Sequence, residues 1–358
     1  MRSSSPLQFN KIRLEASSAC QLRCPSCPTT TGAILPVIGR GFLRIKHFRQ
    51  LVDENPGLDS IELSNYGEIL LNPDMLEILK YAYERGISLS ASNGVNLNNV
   101  REEVLEGLVK YQFSRLNCSI DGASQETYEI YRVRGNFDSV IENIKKINHY
   151  KKKYSSIYPM LSWQFILFRH NEDDLPKARE MARELDMRLV PKLSWDDEIS
   201  PCSREVAERE FGVSSREAYL EKHGKDYKQD ICHQLWDHPV VNWDGKVLGC
   251  CRNFWGDFGG NAFTDGLQAA LNSEKINYAR GMLLGKNEAR EDIPCTDCAI
   301  FQSMQRNETW LDRKKVSLLF QKISHALKMT RISAPTSFKL RKVLAGIKYI
   351  ARKLGRKN

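Results

Sequence analysis

No stretch of the 358 residues approaches the ~20 consecutive apolar residues that a membrane-spanning helix needs. The opening MRSSSPLQFNKIRLEAS has no apolar core of the kind a secretory signal carries. Both absences predict a cytoplasmic protein. In a reducing compartment, ten cysteines point to metal ligation or reactivity rather than disulfides. Internal repeats and low-complexity segments are also missing, so a repeat architecture is excluded. Acidic residues are absent from residues 313–358, which hold 14 Lys/Arg. The remaining 39 basic residues face 44 acidic ones, so the net +9 of the whole chain hides a body at −5. That balance argues against a protein built around nucleic acid.

What is present is alternation. Strand patterns at NKIRLEAS, SIELSN, ISLSASN, RLNCSID, MLSWQFILF and RLVPKL are separated by segments with helical spacing, from FLRIKHFRQLVDEN to DDLPKAREMARELDM. Such alternation predicts a parallel α/β sheet with crossover helices. Six units fall short of the eight of a closed barrel, so the expected fold is a partial (β/α)6 barrel over residues 1–195. Residues 196–231 are polar and read as a linker with a helix at SSREAYLEKHG. Residues 232–312 form a small unit of short strands, a Gly-rich stretch and paired cysteines, with a hairpin-turn signal in NWDGKV. The basic tail is residues 313–358.

Three cysteines stand in CQLRCPSC: Cys20, Cys24 and Cys27, a C-x3-C-x2-C loop directly after the first strand. Thiolates suit zinc, copper(I) or iron–sulfur clusters. Structural zinc takes four ligands, usually in two pairs. Three thiolates with no fourth nearby suit a [4Fe–4S] cube with one iron left open. A zinc knuckle completed by a distant Cys or His is the competing reading.

With that spacing after the first strand of a partial barrel, the chain resembles the radical S-adenosylmethionine (SAM) enzymes. The resemblance implies that SAM chelates the open iron, and that reductive cleavage yields a 5′-deoxyadenosyl radical which abstracts a substrate hydrogen. Ser26 stands where the family usually has an aromatic residue. Further matches follow. N-Y-G-E at residues 65–68 resembles the family's G-G-E, implying Gly67 and Glu68 at the SAM ammonium, with Tyr66 replacing the first glycine. Ser92 and Asn93 resemble the T-N-G that closes the third strand. Ser119 of C-S-I-D-G is the candidate at the ribose, sharing a strand face with Asp121, which could equally cap the next helix. Arg132 matches an arginine on the SAM carboxylate, with Arg134 the alternative. An electron donor such as flavodoxin or ferredoxin is the implied partner.

Cys232, Cys250, Cys295 and Cys298 resemble the short SPASM/twitch domain, whose four cysteines hold one auxiliary [4Fe–4S] cluster. Cys251 is an alternative to Cys250, and a zinc ribbon is the competing reading of the set. A fully ligated cluster can pass electrons but cannot activate SAM. Relatives with this domain oxidise sugar-like alcohols, epimerise, or modify peptides. In an epimerisation a thiol donates hydrogen, and Cys202 is the candidate, because Cys118 reads as a small core residue. His170, Asn171, Trp163 and Gln164 are expected at or near the end of a barrel strand, where βα loops meet substrate, without an assigned role. Only about nine residues precede the first strand, which favours a sugar-like substrate over a peptidyl one. In the tail, Leu340, Val343, Leu344, Ile347, Ala351 and Leu354 recur at helical spacing among Lys and Arg. That pattern suits a membrane-surface helix and a lipid-linked substrate, or a helix packed on the body.

Overall fold

The computed structural model describes residues 6–194 and 201–312. The basic tail, on which the membrane-contact expectation rests, lies outside the described residues. Among the described residues no helix is long and apolar enough to cross a membrane.

Six strands, β1 (Lys11–Leu14), β2 (Ser60–Glu62), β3 (Ser88–Val95), β4 (Arg115–Ser119), β5 (Met160–Leu167) and β6 (Arg188–Leu193), pair in parallel in chain order. The crossover helices include Ile45–Glu54, Met75–Glu84, Glu102–Lys110, Phe137–Lys153 and Leu175–Glu184. Alternation along the strands decides what faces where. One face carries Ile61, Leu63, Leu89, Leu116, Cys118, Leu161, Trp163 and Phe165, all buried in one core with Phe48, Leu79, Leu105 and Ile144 of the helices. The opposite face carries Arg13, Glu62, Ser90, Asn117, Ser119, Gln164 and Lys192, so the inside of the curved sheet is polar. In register, Arg13 stands beside Glu62, Glu62 beside Ser90, and Ser119 beside Gln164.

The sheet does not end at β1. Its other edge is taken by β7 (Val240–Val241), parallel to β1, which forms a hairpin with β8 (Val247–Gly249). The order is β6-β5-β4-β3-β2-β1-β7-β8. The second unit therefore extends the barrel sheet and shares its core, with Val241, Phe258, Ile276 and Met304 in the same cluster. Its turn is built by Gly245 at φ +93°, where a Cβ would lie 2.1 Å from Asn261 Oδ1. Asn261 reciprocates by donating to the Asp244 carbonyl at 2.9 Å.

The polar stretch after β6 contains two helices, Arg204–Phe211 and Arg216–His223, where the sequence pattern predicts one. The additional helix buries Ala207 and, together with Val213, packs against Leu193 at the end of β6. Too few apolar residues mark it for periodicity to show.

Candidate functional site

The CQLRCPSC loop runs from the end of β1 across the polar opening of the barrel. Leu22, Cys24, Tyr131, Ile166 and Phe168 form a small apolar cluster, with Cys20 and Cys27 packed against it. The loop is tied down by the Arg23 N–H to the Val133 carbonyl at 3.0 Å and the Cys27 N–H to the Cys24 carbonyl at 3.1 Å. Burial, then the Glu68 carboxyl, pushes the Cys20 thiol up to about 12. Burial also raises Cys24, while Arg132 opposes the rise. Two side chains donate toward the sulfurs: Arg132 Nη1 lies 3.6 Å from Cys24 Sγ, and Asn96 Nδ2 3.7 Å from Cys20 Sγ. Donors of this kind orient and stabilise thiolate ligands.

Glu68 is fully enclosed. Its backbone N–H donates to the Ala19 carbonyl at 2.8 Å. Its carboxyl accepts from the Leu70 N–H at 3.0 Å and the Asn96 N–H at 2.6 Å. Burial pushes this acid up to about 7, against the pull of those N–H groups and of Arg132. Gly67 is required by space, since a Cβ there would lie 2.1 Å from the Ser17 carbonyl oxygen. Tyr66, the departure from a double glycine, turns toward the second unit and packs edge-on against Phe254 at 6.0 Å.

Arg132 donates from Nε and Nη2 to Asp121 Oδ2, both at 2.6 Å. Asp121 is completely buried, and its other oxygen accepts from the Ile166 N–H at 2.7 Å. Asp121 is thus a partner of Arg132 and not a helix cap; the helix Gln125–Tyr131 is capped by Ser124. Arg134 is exposed. Ser119 points across to β3, where a Cβ on Gly94 would meet its Oγ at 2.1 Å, and lies 3.5 Å from Gln164 Nε2. Gln164 in turn accepts from Lys192. Ser92 is engaged by Glu62, through its N–H at 2.6 Å and its hydroxyl at 2.7 Å. Asn93 is exposed and donates to the Asn65 carbonyl at 3.0 Å. Sequence reasoning missed Glu15, Glu62, Asn96, Tyr131 and Lys192. Lys192, alternating with Pro191 and Leu193 on β6, and Glu62, alternating with Ile61 and Leu63, carried a signal.

In the second unit, Cys232 follows from the turn Gln229–His233, Cys250 from the end of β8, and Cys295 and Cys298 from the start of the helix Ala299–Asn307. Cys250, Cys295 and Cys298 all act on the Cys232 thiol, which burial drives far up. Cys251 is not in that group. It accepts from Gln234 Nε2 at 3.4 Å and packs with Tyr66 and Phe254. Cys202 packs instead beside Leu193, Ala207 and Val213. Among the described residues no three Cys, His, Asp or Glu side chains close around a single metal ion. A cube places each thiolate on a separate corner iron and needs wider spacing.

The chain matches the radical SAM superfamily over residues 14–181 and the SPASM iron–sulfur cluster-binding domain over residues 232–299. With the partial barrel and thiol loop, these matches define a radical SAM protein, and the chain belongs to that superfamily. More particularly, it is a radical SAM protein with a C-terminal SPASM domain. Its cofactors are SAM, a [4Fe–4S] cluster and auxiliary iron–sulfur chemistry, which the two thiol sets fit. The chain is 28% identical over 205 residues to the AdoMet-dependent heme synthase of Methanosarcina barkeri, covering 54% of this chain and 55% of that protein. It is 26% identical over 135 residues to the mycofactocin maturase MftC of Mycobacterium tuberculosis, covering 37% and 33%. The chain thus spans about half or less of the length of these curated relatives. Its fold resembles SuiB of Streptococcus suis bound to precursor peptide SuiA, with TM-score 0.56, 14% identity, and coverage of 83% of this chain and 71% of that one.

Proposed function

We propose that this chain is a radical SAM enzyme that modifies a peptide, and that acidic groups of the peptide are received beside the barrel opening. Cys20, Cys24 and Cys27 hold the SAM-binding cluster; Glu68 accepts from the SAM ammonium; Arg132 stands at Cys24 toward the SAM carboxylate; Ser119 lies at the ribose. Bound there, the cofactor supplies a 5′-deoxyadenosyl radical, and the protein orients one C–H bond and excludes water. Cys232, Cys250, Cys295 and Cys298 would hold the auxiliary cluster, which would supply one-electron redox capacity. A flavodoxin- or ferredoxin-type donor supplies the reducing electron.

One observation carries the substrate class. The charges of Arg216, Lys192 and Arg252 all act on Lys228, and Cys251 acts on both Lys192 and Lys228. Burial, then Arg216 and Lys192, lowers Lys228 to about 7. Like charges crowded in a partly buried place favour an anionic ligand. The positive charge of such a place adds to the binding of a peptide carboxylate and adds nothing to that of a neutral sugar. The maturase relative supports the same choice. The sugar-like reading drew on the short stretch before β1, which is no argument against a peptide delivered by a separate recognition protein. Zinc-module readings fall with the family's iron–sulfur cofactors.

The test is 5′-deoxyadenosine formation by the anaerobically reconstituted protein, offered acidic peptides, their amide counterparts and neutral sugars. Stimulation by acidic peptides, with KM raised on the order of tenfold in Lys192→Met, is the expected result. Stimulation by neutral sugars alone would overturn the reading.

A further inference from the structure

Glu15, one residue beyond β1, was not singled out by any motif, yet it is 1% exposed, and the hydrogen bonds its carboxyl group accepts come from main-chain N–H groups, with the charge of Arg13 acting on it from β1. Its carboxyl group accepts from the N–H of Tyr66 at 3.0 Å and of Gly67 at 3.4 Å. The next N–H, that of Glu68, goes to the Ala19 carbonyl at 2.8 Å. Three successive amides of residues 66–68 are therefore fastened to residues 15–19. The fit is close enough that Gly67 admits no side chain against Ser17. On its other side, the Glu15 backbone N–H donates to the Val241 carbonyl of β7 at 2.9 Å. One residue thus joins the hairpin of the SPASM unit to the loop that carries Glu68. Burying a carboxyl group costs free energy, and a surface loop needs no such anchor.

We propose that Glu15 is a positioning residue for SAM: its side chain fixes the Tyr66–Gly67 backbone so that Glu68 meets the ammonium, and its main chain locks that loop to β7. The proposal rests on Glu68 as the ammonium acceptor. Glu15 itself touches no reacting atom.

The experiment is SAM binding to the reconstituted full chain by equilibrium dialysis, with iron content and the SAM-induced change in the reduced cluster's EPR spectrum read alongside. Glu15→Leu removes both acceptors at similar volume, while Glu15→Gln keeps one. SAM affinity should fall on the order of tenfold in Glu15→Leu and less in Glu15→Gln, with iron content unchanged. Wild-type affinity in Glu15→Leu overturns the proposal, as does a loss of iron or melting temperature with affinity retained. Glu68→Gln separates the two levels. If it binds SAM as wild type does, the reading of Glu68 fails; if it weakens binding and Glu15→Leu does not, only the role of Glu15 fails. Hydrogen exchange on the wild type needs no variant. Slow exchange at the Tyr66 and Gly67 amides is expected, and exchange as fast as an open loop contradicts the anchor.

Discussion

At the residue scale, the site is governed by burial. Glu68 is held at about 7 because it is enclosed, and this sets a sign. In the SAM-free protein the folded state keeps a proton that the unfolded chain releases between about pH 4.5 and 7, so this group's contribution to stability falls as pH rises through that window. An incoming ammonium favours the ionised acid. SAM affinity should therefore weaken below about pH 7 and level off above it, while Glu68→Gln should lose this step; a dissociation constant measured across pH 6 to 8 checks it. Arg132 is bound to a wholly buried Asp121, and removing one partner of such a pair costs about 3–5 kcal/mol. Arg132→Met should lower the unfolding free energy by that order, and an Arg134→Met control, altering an exposed side chain, should not. Much of this was readable as type and not as partner. The spacing of 65–68 singles out Gly67 and Glu68. It could not choose between Arg132 and Arg134, because the chain's turn after Tyr131 decides which one reaches Cys24. Glu15 and Asn96 were invisible, since a Glu after a strand and an Asn in a loop look like surface residues until the fold encloses them.

At the element scale, the six βα units were legible because period-2 and period-3.6 patterns differ sharply, and the stop at Gly86 marks one helix end. The hairpin of NWDGKV was also legible from its turn. Its pairing with β1 was not, since a two-residue strand has no periodicity and its register is a long-range choice. Gly245→Ala would place a methyl on Asn261 and strain a left-handed backbone. The expected outcome is loss of auxiliary iron with the barrel's cluster retained, read by iron analysis and by SAM binding. Loss of both clusters would show that β7–β8 is needed for the barrel loop itself.

At the scale of the whole molecule, two thiol sets lie in the loops and turns of two units that share one continuous sheet, and they differ in number. In the proposed assignment, Cys20, Cys24 and Cys27 leave a position for SAM, and Cys232, Cys250, Cys295 and Cys298 do not. Between them runs a short bridge in which Cys250 is followed by Cys251, which packs on Tyr66, two residues before Glu68. The tyrosine that breaks the double-glycine pattern is thus one of the side chains through which the two units meet, beside Asn242 and Trp243, which both donate to the Ile38 carbonyl at 3.0 Å. The central claim is that the triad and the quartet hold separate clusters. Iron per chain in the anaerobically reconstituted wild type and in Cys24→Ala tests it most directly. About eight irons falling to about four, with 5′-deoxyadenosine formation abolished, is the predicted result. Zinc in place of iron, or an iron content that Cys24→Ala leaves unchanged, would contradict it.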